Sequence, residues 1–425
     1  MTLHISREQA RRFLALYHFT ATDLPGVLER LGTVQYDPLN PVGRNPDLIF
    51  QARIPGYQVD DWQKAAYTDR LIYDAWDKMA CLVPISDWPK RALIREKYRP
   101  YHDREILQAD AEFAAAVLAA IEAQGPLSPL EFEDRSRMED DNSWWGLSRT
   151  KRILRSLWAS GLLVTHHRKG GRHYYDLPQR VIPAEYFNAP PLLDVAEYHR
   201  WILMRRYQAA GILRPVTDPA IWSGCGTGAE RAQAVKDLVE AGVLTPILID
   251  ESAPIGRSND AARLLLDGQA VPKEKPLPFY MLTNTLHLLD EALPTPRMIF
   301  LGPLDSLLWD RKAVMQIFDF DYVWEVYKPP VQRKWGYYVL PVFYGDRFVA
   351  RFDSRLEKGV WTISRWWWEP TITPNAELLD ALRNAVESFI YYLRADDVRV
   401  DEGVDLAVRQ AIGTASNKSI FIPNP

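Results

Sequence analysis

The chain has 425 residues, 47% of them apolar and 25% charged, with a formal net charge of -4. That length is too great for a single core and suits a globular protein of several domains. No apolar run is long enough to span a membrane, the start "MTLHISREQARRF" lacks the apolar stretch of a signal peptide, and only Cys81 and Cys225 are available for pairing. The expectation is therefore a cytoplasmic protein in reducing surroundings, without membrane contact or a disulfide framework.

In chain order, "SREQARRFLALYHF" predicts a helix capped at Ser6, with Gln9 completing a capping box. "DLPGVLERLG" predicts a second, ended by Gly32. A proline-rich loop, "GTVQYDPLNPVGRNPDL", follows, then a helix in "DDWQKAAY" and a long one in "DREILQADAEFAAAVLAAIEAQG". Next come a short helix in "SPLEFED" and a helix in "GLSRTKRILRSLWASG" capped at Ser148. Two strands in "LLVTHHRKGGRHYYDL" join through Lys169-Gly170-Gly171, a hairpin signal. Helix, helix, hairpin is the order of a winged helix-turn-helix, whose second helix usually reads a DNA groove.

Charge supports that reading. Between Gly146 and Tyr175 there is no Asp or Glu, but there are Arg149, Lys151, Arg152, Arg155, Arg168, Lys169 and Arg172. The mild acidity of the whole chain argues against nucleic acid, yet binding follows the local field. A winged helix used for protein contacts is the competing reading of this segment.

A similar series recurs in "DVAEYHRWILMRRYQAAG", "DPAIWSG", "GAERAQAVKDLVEAG" and "VLTPILID", less basic and more suited to a scaffold. Beyond about residue 285 the runs "YVWEVYKP", "WGYYVLPVFYGDRFVARFDSRL" and "GVWTISRWWWEP" alternate like strands, with Tyr344-Gly345-Asp346 as a hairpin turn. "NAELLDALRNAVESFIYYLRA" closes as a helix, and "ASNKSIFIPNP" reads as a tail. The expected fold is α+β and mainly α: tandem winged helix-turn-helix modules, then a small antiparallel β-barrel and a C-terminal helix. The segments are 1–105, 106–188, 189–284 and 285–425.

Several motifs have plain structural readings. "SGCGTGAE" spaces its glycines G-x-G-x-G without a βαβ unit, so a turn between helices is expected rather than a nucleotide loop. His166 and His167 are adjacent on a strand and point to opposite faces, so DNA backbone contact or wing packing is expected rather than a shared metal. At least one of Trp366 to Trp368 belongs to the core. Neither metal nor cofactor is expected.

Gln35-Tyr36-Asp37 has two readings. Asp37-Pro38 and Asn45-Pro46 are turn formers, and Asp37 suits an Asx turn. A spacing of two in extended chain also puts Gln35 and Asp37 on one face, with Tyr36 turned away into packing. An amide and a carboxylate side by side suit the placing and deprotonation of water.

The stretch "QYDPLNPVGRNPDL" resembles the Q-x-D-x-x-N-x-V-x-R-x-P-x-L signature of the YcaQ/AlkZ family of bacterial DNA glycosylases. Gln35, Asp37, Asn40, Val42, Arg44, Pro46 and Leu48 fill its positions. "FLGPLDSLLWDR" with "FDFDYVWEVYKP", and "KWGYYVLPVFYGDRFVARFD", are similar to two further blocks of the family. The resemblance implies tandem winged helices and a β-barrel. It also implies excision of N7-alkylated purines, including those in interstrand crosslinks, by a monofunctional glycosylase acting as a monomer on nucleoid DNA. It makes Gln35 and Asp37 the catalytic pair, supported by the prolines and Asn40. One departure is "WDKMAC", where Lys78 stands in place of the His of the Q-x-D branch. The residues expected on DNA are Arg44, Arg149, Lys151, Arg152, Arg155, His167, Arg168, Lys169 and Arg172, with the partner a double-stranded, alkylated or crosslinked DNA. A winged-helix regulator without catalysis is the alternative.

Overall fold

Capping chemistry sets the first helices of the fold. It is seen in a computed structural model that describes residues 2–104, 108–132, 149–250 and 278–416. Ser6 and Gln9 form the expected capping box on the helix Arg7–Phe19. The helix Leu24–Leu31 ends at Gly32 with positive φ. The short strand Val34–Gln35 then enters a three-stranded antiparallel sheet with the hairpin Ile72–Trp76 and Ala80–Pro84. Ala80–Pro84 is the centre strand, so Gln35 pairs with Cys81 at the sheet's edge.

The long helix expected over "DREILQADAEFAAAVLAAIEAQG" starts later, at Ala111, after a turn at Gln108–Asp110. A helix the sequence did not announce, Ala92–His102, precedes it. Among the described residues the elements then run in chain order as Ala111–Gln124, a 3-10 turn at Pro129–Glu131, the helix Arg149–Ala159, and the strands Val164–Lys169 and Arg172–Asp176. Ser148, the expected cap, lies outside the described residues. Gly170 and Gly171 both take positive φ, which the two-residue turn demands. Leu127 pairs with Tyr175 and adds a third edge to the wing.

The next segment repeats the pattern with Val195–Ala210, a 3-10 turn at Pro219–Trp222, Gly228–Glu240 and the strand Leu244–Asp250. "SGCGTGAE" is the expected turn, and its Thr227 caps the helix that follows. An N-terminal strand, Leu3–Ser6, pairs in parallel with Leu244–Asp250. The start of the chain is therefore built into the sheet of the third segment.

Toward the C-terminus, five strands form one sheet whose edges are Met298–Phe300 and Asp397–Val400. Its three central strands are antiparallel as read from sequence, and its last pair is parallel. Trp366 is buried and stacks on Phe352, so it serves the core. Two helices, Ala376–Leu393 and Leu406–Ser416, pack together. The second was not expected, and it takes the place of the start of the tail; residues 417–425 lie outside the described residues.

One apolar core joins the Leu24–Leu31 helix and the Val34–Phe50 region to this sheet and both helices. The proline-rich loop is thus clamped on the C-terminal half of the molecule. Leu356 N–H donates to Pro41 O, and Tyr392 Oη donates to Val42 O. Gly43 leaves no room for a side chain, because a Cβ there would sit 1.8 Å from Tyr392 Oη.

Candidate functional site

Extended backbone continues one residue past the strand, since Tyr36 N–H donates to Ala80 O at 2.8 Å. Gln35 and Asp37 accordingly leave the chain on the side opposite Tyr36. Tyr36 packs edge-on against Trp62 and lies under the Arg168 guanidinium. Gln35 and Asp37 are each 9% exposed, at the rim between core and surface.

Each side chain of the pair is pinned. Gln35 Oε1 accepts from Lys78 Nζ at 2.5 Å, which leaves the two N–H groups of its amide for another acceptor. Its backbone carbonyl accepts from the fully buried Asn45 Nδ2 at 2.7 Å. Asp37 Oδ1 accepts from Leu39 N at 2.9 Å, so the Asx turn exists and the second oxygen is left for other work. The Asx turn thus fixes the direction of the carboxylate. Asn40, expected to brace this loop, is exposed, and Asn45 is the buried brace.

Electrostatics sharpen the site. Burial pushes the Asp37 carboxyl above its ordinary value, against the lowering effect of the Leu39 N–H. Burial likewise brings the Lys78 amine down to about 8, helped by Arg206 and opposed by Cys81 and Asp77. The amine also rests 4.6 Å from the centre of the Trp309 ring. The turn that carries Lys78 is rigid, because neighbouring Asp77 is buried and accepts from Arg91 and Arg206. Burial would raise that carboxyl, but the two guanidiniums hold it far below the usual range. Tyr338 brings the C-terminal sheet to the site; its hydroxyl is buried without a partner, and burial and the charge of Asp37 both push its pKa up.

Of the residues expected on DNA, Lys151, Arg155, Lys169 and Arg172 are exposed, with Arg152 and His167 half-buried. Arg149 pairs with Asp110 and covers Phe113. Arg44 pairs with Asp60 and lies next to the wing turn, 3.8 Å from where a Cβ on Gly171 would be. His167 stacks on Tyr174. Arg168 departs from expectation. Its side chain is 6% exposed, pairs with the buried Asp74 and sits 3.7 Å over Tyr36. It docks the wing on the Gln35 sheet and presents nothing to a phosphate. Arg70 adds to that joint by donating to His166 O.

Sequence reading flagged Lys78 only as a departure from a pattern, and did not single out Asn45, Asp77 or Tyr338 as site residues. For Asp77 and Lys78 the hairpin "YDAWDKMACLVP" is the available signal, since its tight turn carries both; Asn45 and Tyr338 have no comparable signal in sequence. A cavity of about 260 Å³ lies elsewhere, lined by Tyr73, Trp88, Arg95, His102, Arg155 and Trp158. Neither Gln35 nor Asp37 contributes to it. Among the described residues no group of three or more His, Cys, Asp or Glu is placed to hold a metal ion, and no helix is long and apolar enough to cross a membrane.

The family model of the AlkZ-like DNA glycosylases matches residues 28–390, which includes the Gln35–Asp37 loop, the basic hairpin and most of the C-terminal sheet. Among solved structures, the DNA glycosylase AlkZ of Streptomyces sahachiroi shares the fold with a TM-score of 0.59 at 14% identity. That likeness covers 95% of this chain and 100% of the other.

Proposed function

This chain belongs to the AlkZ-like DNA glycosylase family, and on that premise we propose that it hydrolyses the N-glycosidic bond of N7-alkylated purines in duplex DNA. The observation that carries the reading is the common side of Gln35 and Asp37, with the side-chain Oε1 of Gln35 already held by Lys78. N7 alkylation makes the purine cationic and a good leaving group, so little acid catalysis is needed. The demand falls on the sugar, which becomes positive as the bond breaks, and on the water that captures it.

Asp37 meets both needs. Its carboxylate stabilises the developing charge and takes the proton of the attacking water. Burial raises its pKa, which makes it a better base. Gln35 places the water or the sugar through its amide N–H groups. Water is the nucleophile, and the enzyme is monofunctional. Lys151, Arg152, Arg155, Lys169 and Arg172 meet phosphates along the helix and wing, with Arg44, Arg149 and His167 beside them. The protein acts as a monomer on DNA in the cytoplasm.

A site at a rim suits a base that remains against the duplex better than one swung into a closed pocket, which extends the reading to purines tied to both strands. The test is release of free base from a duplex containing N7-methylguanine, followed by chromatography. Release is expected, with borohydride trapping no protein–DNA adduct. A denaturing gel of a crosslinked duplex separates unhooking from action on single lesions alone. Intact N7-methylguanine after prolonged incubation overturns the proposal.

A further inference from the structure

Among the described residues of the C-terminal half, the loop between Val326 and Tyr338 carries the most exposed large apolar side chains. Tyr327 is 84% and Val331 93% exposed, and Tyr337 is 41% exposed. Large apolar side chains this exposed and this close together mark an interaction site more often than a bare surface. The surrounding sequence, "VYKPPVQRKWGYYVLPVFYG", has Lys328, Arg333 and Lys334 and no acidic residue.

The loop is built stiff. Pro329 and Pro330 lead into a 3-10 turn over Pro330–Gln332. The buried carboxylate of Glu325 gathers it from below, accepting from Lys328 Nζ at 2.8 Å and from Trp335 N at 2.8 Å. Arg333 Nε closes the turn on Lys328 O. A preformed loop loses little conformational freedom when it meets a partner. At its root Trp324 contacts both Tyr327 and Tyr338, with ring centres 5.5 Å and 6.1 Å away. Tyr338 is the residue whose hydroxyl feels the charge of Asp37.

We propose that this loop is a DNA-contacting strap: Arg333 and Lys334 engage phosphates, and Tyr327 and Val331 press against the bases next to the lesion held at Asp37. Its position relies on the catalytic reading above, but its chemistry stands on exposure, stiffness and charge. Basic side chains interleaved with aromatic ones suit a polyanion with stacked faces. Glu325 offsets Lys328, which leaves Arg333 and Lys334 as the net positive charge of the loop, and a protein partner or a second copy of the chain met by the apolar tip alone gains nothing from that charge.

The test uses the full chain and a duplex with a tetrahydrofuran abasic analogue flanked by 2-aminopurine, so that binding is read without excision. Tyr327→Ala with Val331→Ser is expected to weaken binding roughly tenfold and to abolish the 2-aminopurine fluorescence gained with the unaltered protein. Arg333→Ala with Lys334→Ala is expected to reduce the salt dependence of binding by about two phosphate contacts. Thermal unfolding and sedimentation of each variant confirm a folded protein of unchanged mass. Unchanged affinity and fluorescence in both variants overturn the strap, as does a tip substitution that only dissolves a dimer. A protein that binds through the strap yet releases no N7-methylguanine leaves the strap standing and removes the glycosylase reading.

Discussion

Lys78 Nζ donates to Gln35 Oε1 at 2.5 Å from a turn that Asp77 ties to Arg91 and Arg206. An amide whose oxygen is engaged in this way can act outward only as a donor. On the proposed mechanism Lys78 is thus a positioning residue for Gln35, its buried ammonium acting through orientation rather than charge. Lys78→Met is expected to lower single-turnover excision of N7-methylguanine by at least about tenfold, with KM for the duplex changed far less than kcat. An equal effect on both parameters would point to simple DNA binding.

The same substitution is expected to stabilise the fold. A lysine brought down to about 8 is held protonated at a cost at neutral pH, and stability rises as pH climbs from about 8 toward its unfolded value of 10.5. Removing the amine removes that cost. Lys78→Met should therefore raise the midpoint of urea unfolding at pH 7, and the gap to the unaltered protein should narrow as the buffer is taken above pH 9. A lower midpoint at pH 7 means that the contacts with Gln35 and Trp309 outweigh the burial of charge.

Excision should follow a bell in pH. On the proposed mechanism Asp37 works ionised, and burial raises its carboxyl above the ordinary value of 3.8, so the rate should climb with pH through that raised pKa. Lys78 loses its proton near 8, and the rate falls as the charge-assisted hold on Gln35 weakens. Single-turnover rates from pH 4 to 10, corrected for spontaneous depurination, give both limbs. Lys78→Met should remove the alkaline limb and leave the acid one.

Local features of the fold were legible because their causes are local. Ser6 and Gln9 are three residues apart, and Gly170-Gly171 dictates its own turn. The Gln35–Asp37 face follows from strand period alone. Lys78 is 43 residues from Gln35, and the hydrogen bond exists only because the strand of Gln35 pairs with the centre strand that follows the Lys78 turn. Tyr338 comes from the far half of the chain. Arg168 misled for the converse reason: a basic wing looks uniform in sequence, yet one of its cations meets Asp74, 94 residues away. The later start of the Ala111–Gln124 helix reflects a turn at Gln108–Asp110 that the alanine-rich run conceals.

Arg168 and its neighbours should consequently separate by assay. Arg168→Ala leaves Asp74 charged and buried, and is expected to destabilise the protein by about 3 kcal/mol or more in urea unfolding. Lys169→Ala with Arg172→Ala touches two exposed side chains and should leave unfolding unchanged. It should instead reduce the slope of log affinity against log salt by about 2, measured by fluorescence anisotropy on undamaged duplex. A large loss of affinity in Arg168→Ala at temperatures where it stays folded would return that residue to the DNA surface.

Asn45 tests whether the loop acts by aiming the pair. Its Nδ2 holds the backbone carbonyl of Gln35 at 2.7 Å, it is fully buried, and it lies ten residues from Gln35 in sequence. Asn45→Ala strands that carbonyl and is expected to cost about 1–3 kcal/mol of stability. Excision should fall as well, because the strand that carries Gln35 is then free to shift, and shifts near 1 Å cost about a hundredfold in well-aligned reactions. Asn45→Asp cannot donate and should not restore the rate. In a Gln35→Ala background the further change Asn45→Ala should leave the remaining rate almost unaltered, since the group it aims is gone. Additive losses in that cycle would make Asn45 a general brace of the fold, and the exposed Asn40, substituted by alanine, should change neither quantity.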